Sequence, residues 1–496
     1  MWNLANATVP QLYLLVISIA AARFLGPDTF GRQSFIAFVE LSVLMLMAAG
    51  VPQSLARHVA EAIGRDDPAS GRGLVSWAWR LQLGIAVFSF AVLASVGLAG
   101  ATPGQAWVLA GVATAAGIAA GTPRGLLFGM QDWRRPSLIG LVTGGFGAVA
   151  TVVVLVAGGR IVAMFAVEAV VAVGALVWTS VLGRGAERRL ASVANHDPEL
   201  TRAALRYAGL MTISIGLTII IWRRTEVFFL EHYSTNAQVG FYSIAFAGSA
   251  VLAMLFQALS AALLPAVATL WGAGQHDRIS SGYSRAVRLI LLLALPLTAL
   301  SLALGPELVL VVYGHGYADA REVLVILLSI TPLVAMLNMS AALLGAIGRL
   351  RPMLVAGMVA SAVTISCDFL LIPAFDSVGA AFANLAGQIT VGVWVVIVTR
   401  DAVGDVHWHP AIIVRISLAA LLTGASAWAC VVLLGGAVGV ACGAVVGVAL
   451  FALLGGMLSI IEERDASWLD ETLGGVGGGL AGRLIRFWAR PAIQRS

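Results

Sequence analysis

The sequence predicts an all-α, polytopic membrane protein with about fourteen transmembrane helices. They are expected as two parallel-repeat six-helix bundles around a central cavity, plus two extra helices at the C-terminal end. Three observations predict this. Apolar residues make up 59% of the 496, charged residues 11%, and the mean hydropathy is +0.93, a composition of membrane proteins rather than soluble domains. Fourteen apolar runs follow one another along the chain, each near the ~20 residues a helix needs to cross a hydrocarbon core of ~30 Å. Short sequence patterns also recur in register between the two halves.

The first six runs cover roughly 5–25, 31–51, 74–98, 105–128, 136–157 and 161–182. The next six cover 207–230, 239–263, 286–305, 321–346, 353–373 and 377–399. The last two cover 411–433 and 437–461. Residues 52–72 hold SLARHVAEAIGR, which reads as a surface helix. The first run has no basic flank and no clear cleavage site, so it reads as a membrane helix rather than a signal peptide. All 30 basic residues are Arg. With the N-terminus inside, 24 of them fall on the inner side and six on the outer side. This is a strong positive-inside bias and puts both termini in the cytoplasm. It accounts for the net charge of +5 without a nucleic-acid partner.

The repeat fixes the domain organisation. Leu127-Phe128-Gly129 and Arg135-Pro136 recur as Leu343-Leu344-Gly345 and Arg351-Pro352, a shift of 216; Trp178 and Arg184 recur as Trp394 and Arg400 at the same shift. Gly31-x-x-Ser34 recurs as Gly240-x-x-Ser243 at a shift of 209. Each copy holds six spans, an even number, so both cross in the same sense and form a parallel repeat. The expected domains are a first bundle at 1–190, a second at 200–402, two additional helices at 410–461 and a basic tail at 462–496. Leu480 to Ile493 alternates Arg with large apolar residues, as an amphipathic helix on an anionic inner leaflet would.

Several chemistries are excluded. Without Lys there is no GxxxxGK[ST] loop, so the chain by itself is no P-loop ATPase. Cys367, Cys430 and Cys442 lie in apolar runs with no metal spacing and no disulfide framework. His407-x-His409 lacks an evident third ligand. No catalytic constellation appears, and no cofactor or metal is expected. The reading is of a transporter, not an enzyme.

The charges inside spans are the candidates for function. Arg223, Arg224 and Glu226 follow the apolar run 211–222, with Arg224 about 27 Å along a helix from Arg206. Either a short helix ends at Trp222 and the Arg pair snorkels to the interface, or the three charges face a wet interior. Glu40 lies ~14 Å into its span, and Glu168 is at similar depth. Asp368 sits toward the outer end of its span. A buried acid is protonated or paired, so these three read as coupling-ion candidates or as interhelical glue.

At this point the residues resemble a known family. The segment ARFLGPDTFGRQSF (22–35) carries Arg23, Gly26, Pro27, Phe30 and Gly31. It is followed by Gly50-Val51-Pro52 and by Arg57-His58-Val59-Ala60-Glu61. These are similar to the start of polysaccharide flippases of the multidrug/oligosaccharidyl-lipid/polysaccharide exporter (MOP) superfamily. Arg224-x-Glu226 and Val239-Gly240-Phe241-Tyr242-Ser243-Ile244-Ala245 resemble that family's seventh and eighth helices, with Glu226 where the family has Asp. The resemblance covers roughly 5–400. It implies alternating access in a bacterial inner membrane and a polyprenyl-pyrophosphate-linked oligosaccharide as substrate. It also implies Arg223, Arg224, Glu226, Arg23 and Arg57 at the substrate, membrane lipids around it, and glycosyltransferases or a polymerase as neighbours. The two added spans resemble an arrangement in the lipid II flippase branch. Two other functions fit the same residues. One is a multidrug cation antiporter that depends on Glu40 or Glu168; the other is a non-transporting scaffold for polysaccharide synthesis.

Overall fold

The computed structural model describes residues 2–48, 50–190, 193–222, 225–261, 263–404, 410–461, 465 and 488. Among them there is no strand. Eighteen α-helices and one 3-10 turn account for the architecture, as a bilayer requires of a chain that must satisfy its own backbone hydrogen bonds. Among the described residues ten helices are long and apolar enough to cross a membrane, or eleven if one bent pair counts as a single span. The chain is a multi-pass membrane protein.

The first unit comprises 1–231 with 235–240. Its helices are α1 (Trp2–Leu25), α2 (Pro27–Ala48), α3 (Gly50–Gly64), α4 (Pro68–Leu98) and α5 (Gly104–Ala119). They continue with α6 (Gly121–Gly129), α7 (Arg134–Val156), α8 (Ile161–Leu190), α9 (Pro198–Trp222) and α10 (Glu226–Tyr233). The segment expected to be a surface helix, α3, packs along one face and exposes Gln53, Arg57, Ala60 and Ile63 on the other. Val51, Leu55 and Val59 are buried with Leu74, Leu126, Ala204 and Ala208, so α4, α6 and α9 all touch it. Small residues permit the approach: a Cβ on Gly125 of α6 would stand 2.6 Å from the Pro52 carbonyl oxygen. Ser54 Oγ donates to the Ala204 carbonyl at 2.7 Å and closes the seam with α9.

The second unit comprises 232–234 with 241–496. It holds most of α11 (Asn236–Ala261), then α12 (Leu263–Gly272), α13 (His276–Tyr313), α14 (Ala320–Ser329), α15 (Thr331–Ala346), α16 (Leu350–Val403), α17 (Pro410–Leu434) and α18 (Gly436–Leu458). Its core gathers Phe256, Tyr283, Val287, Leu291, Leu343 and Val391 from α11, α13, α15 and α16. Tyr283 and Ser340 share a 2.6 Å hydrogen bond inside it. The α17–α18 hairpin lies on α13. Its far side exposes Leu421, Leu433 and Val445, the face a lipid-bound helix must present and one a water-soluble surface would not carry.

The sequence reading counts fourteen spans, and α16 explains part of the difference. Asp376 has φ 49° and ψ −130°, and the helix folds back there. A Cβ on Gly387 would collide with Thr364, and one on Gly379 with the Leu371 carbonyl. Each pair straddles Asp376, so the arms are antiparallel and correspond to the expected spans 353–373 and 377–399. Ser234 Oγ donates to Asp376 Oδ1 at 2.5 Å and fixes the turn. A β-branched residue cannot take this backbone conformation without strain. Asp376→Val is expected to destabilise the protein by about 1–3 kcal/mol, read as a lower melting temperature in detergent.

The tail expected as an amphipathic helix lies outside the described residues except at two points. Asp465 pairs with Arg285 and Arg288 of α13. Trp488 donates its indole N–H to the Ala452 carbonyl of α18 at 2.8 Å. His407 and His409 also lie outside the described residues.

Candidate functional site

In the first unit a packed layer places three polar side chains at one level. Ile36 of α2, Trp107 and Ala110 of α5, and Ile161 and Phe165 of α8 form one buried cluster. Phe35 meets the Trp107 ring edge-on at 6.0 Å. Residues three or four apart share a helix face. Glu40 is four on from Ile36, Thr114 four on from Ala110, and Glu168 three on from Phe165. One turn past the apolar cluster, the three helices therefore present two carboxyls and a hydroxyl.

The surroundings of the two acids differ. Glu40 is 5% exposed, and among the described residues its Oε2 has no hydrogen-bond partner. Glu168 is exposed although it lies on the same face of α8 as buried Ile161, Met164 and Phe165. The lipid-type exposure of α8, at Val170, Val177 and Val181, is on the opposite face. Glu168 thus opens onto space on the packed side of its helix. The two carboxyls are electrostatic neighbours. The sequence presented them as separate candidates, 128 residues apart; only the helix register joins them.

Other polar groups of this unit have the same character. Gln82 of α4 is 0% exposed, and neither of its amide atoms has a hydrogen-bond partner among the described residues. The Thr114 and Thr122 hydroxyls likewise lack one. Polar groups in this condition are rare in a packed interior. Sequence reasoning missed Gln82, whose only signal is an amide amid apolar residues.

The arginine candidates divide. Arg223 and Arg224 lie outside the described residues, between the end of α9 at Trp222 and the start of α10 at Glu226. Glu226 is 2% exposed in the first turn of α10, where a carboxylate complements the helix dipole. Arg23 is exposed in the last turn of α1. Arg57 is exposed on α3, with its guanidinium 4.7 Å above the Tyr207 ring of α9. Asp368 is fully buried in the first arm of α16. Glu226 and Asp368 each engage further partners. Arg124 of α6 is a residue the sequence reading used only for topology. It is half-buried in a span; its backbone N–H donates to the Ala120 carbonyl, but its guanidinium makes no hydrogen bond and no ion pair among the described residues.

Comparison with known proteins bears on this arrangement. Residues 146–322 match the family model described as polysaccharide biosynthesis protein. The fold is that of a lipid II flippase, MurJ, in an inward closed conformation, with TM-score 0.71 and 9% identity over 95% of this chain and 98% of that one. It is also that of an inward-facing multidrug resistance MATE transporter of the MOP superfamily, with TM-score 0.66 and 14% identity over 81% of this chain and 97% of that one. A MOP transporter from Pyrococcus furiosus, whose binding pocket is described as reversed in polarity, matches with TM-score 0.54 and 15% identity over 81% of this chain and 93% of that one. No protein of curated function matches this chain in sequence.

Proposed function

We propose that the protein is a flippase that carries a polyprenyl-pyrophosphate-linked oligosaccharide from the inner to the outer leaflet of a bacterial inner membrane, with both termini cytoplasmic. The observation that carries this reading is the polysaccharide-biosynthesis match on a fold shared with a lipid II flippase. The extent of the match supports it: the MATE transporter leaves about a fifth of this chain unmatched, the lipid II flippase about a twentieth. The domains read as a first bundle at 1–190, a second at 200–402, the added hairpin at 410–461 and the tail at 462–496.

The chemistry follows from the charges. A pyrophosphate in a low-dielectric path needs cationic donors that match its oxygens, and guanidinium does so with two parallel hydrogen bonds. Arg23, Arg57, Arg223 and Arg224 are the proposed contacts, with Glu226 limiting how tightly anions are held; Arg124 joins them as an unpaired cation. The Glu40–Glu168 pair carries the coupling proton or cation, and Asp368 is a further ion-coupling candidate. Transport rather than bond-making is the proposed activity. Glycosyltransferases or a polymerase are the proposed partners. Deleting the gene and measuring lipid-linked glycan in right-side-out membranes tests this: glycan confined to the inner leaflet supports it, and an unchanged distribution contradicts it.

Arg124 offers a sharper check. An unpaired half-buried cation costs stability, so Arg124→Met is expected to stabilise the fold by about 1 kcal/mol while slowing flipping. A thermal melt paired with a flipping assay reads both. A second reading, a drug-cation antiporter, is favoured by the carboxyl pair alone. It predicts export that survives neutralisation of every arginine above but not of Glu40.

A further inference from the structure

Asp465 enters a small cleft lined by Arg288, Leu289, Leu292, Ile412, Ile460 and Ile461, and it is 3% exposed there. Arg285 Nε donates to its Oδ1 at 2.8 Å. Arg288 donates from Nε to Oδ2 at 3.0 Å and from Nη2 to Oδ2 at 2.9 Å and Oδ1 at 3.1 Å. Two guanidiniums thus converge on one carboxylate. Their place along α13 is telling: Arg288 is the last charge before the apolar run 289–304, so the pair marks the level at which α13 enters the hydrocarbon. The rest of the cleft is aliphatic, supplied by α13, the start of α17 and the chain just after α18.

A cationic fork at the membrane boundary with an aliphatic wall below it has the shape of a lipid site. Guanidinium binds phosphate oxygens in the geometry it uses for carboxylate, and basic pockets between membrane helices hold anionic head groups. We propose that Arg285 and Arg288 form a headgroup site for an anionic membrane phospholipid, and that Asp465 is the chain's own competing occupant. With Asp465 seated, the chain beyond α18 is tied to α13. Binding of a lipid phosphate releases the tie. This is independent of the transported substrate, because the readout below is lipid binding and not transport.

The test is titration of the purified full-length protein with phosphatidylglycerol against phosphatidylcholine, read by lipid retention in native mass spectrometry. An occupant that blocks the site lowers apparent affinity by the fraction of time it is seated, so Asp465→Asn is expected to bind phosphatidylglycerol at least about tenfold more tightly. Asp401→Asn makes the same charge change at an exposed position and is expected to leave affinity unchanged. The triple variant Arg285→Gln/Arg288→Gln/Asp465→Asn removes the site without leaving a buried charge and is expected to lose the preference for phosphatidylglycerol. Equal affinities for wild type and Asp465→Asn would overturn the proposal. So would an equal gain with Asp401→Asn, or a preference that survives in the triple variant. If Asp465→Asn does not fold, wild type against the triple variant decides in the same way. Inorganic phosphate is expected to bind far more weakly than the lipid; equal binding would place the site in water and overturn a membrane source.

Discussion

Glu40→Gln is expected to abolish gradient-driven transport and leave the protein folded. Gln keeps the shape and hydrogen-bonding reach of Glu and removes only the titrating charge, so stability is expected to change by no more than about 1 kcal/mol. Glu168→Gln has the same effect, because the two acids share one level of the first unit and act on each other's charge. Groups that act as a unit are strongly non-additive. The double variant is therefore expected to be no worse than either single one, with all three at background. Ion-gradient-stimulated flux in proteoliposomes checks this. Losses that multiply in the double variant would mean that the acids work separately, and wild-type flux in Glu40→Gln would remove the pair from the mechanism.

Gly31→Val prevents folding. Gly31 of α2 and Gly240 of α11 are equivalents in the sequence repeat, and they meet. A Cβ on Gly240 would stand 2.9 Å from the Pro27 carbonyl oxygen and 3.3 Å from the Gly31 nitrogen, and a Cβ on Gly31 would collide with the Asn236 carbonyl. All of these atoms are backbone, so no side chain can turn aside. Overpacking of flexible neighbours costs about 1–3 kcal/mol, and a rigid neighbour raises that to about 3–5 kcal/mol, a large part of a typical stability. Gly240→Val is expected to behave alike. The yield of monodisperse protein from detergent reads the effect; a normal yield and melting temperature for Gly31→Val would refute the contact.

The repeat shows how far sequence reasoning reaches. Gly31-x-x-Ser34 and Gly240-x-x-Ser243 are visible as a pattern, but the reason for the glycines is a backbone contact across 209 positions that no periodicity encodes. The spans were legible because hydrocarbon imposes one length and one polarity on every crossing. Helix α3 has a packed face that its low hydropathy hides; its Pro52 and Ala56 lie against Gly125 and Gly129 of α6. Arg223 and Arg224, which the sequence singles out after Trp222, lie outside the described residues. Glu40 and Glu168 were each found by being acids at depth, yet their pairing depends on the register of α2 and α8 around Ile36 and Phe165. Gln82 and Arg124 carry no local signal, since an amide becomes informative only when it is buried without a partner, and an arginine only when no carboxylate pairs with it, as holds for both among the described residues.

Flipping of a fluorescent polyprenyl-pyrophosphate oligosaccharide in proteoliposomes tests the central claim most directly. Label in the outer leaflet is quenched with a membrane-impermeant reductant, for wild type, Glu40→Gln and empty vesicles. Wild type is expected to expose all of the label to the quencher, faster under an imposed cation gradient, while Glu40→Gln shows no gradient stimulation. Protected label in wild-type vesicles equal to that in empty ones, together with export of a drug cation by the same preparation, would contradict a lipid-linked glycan as the substrate.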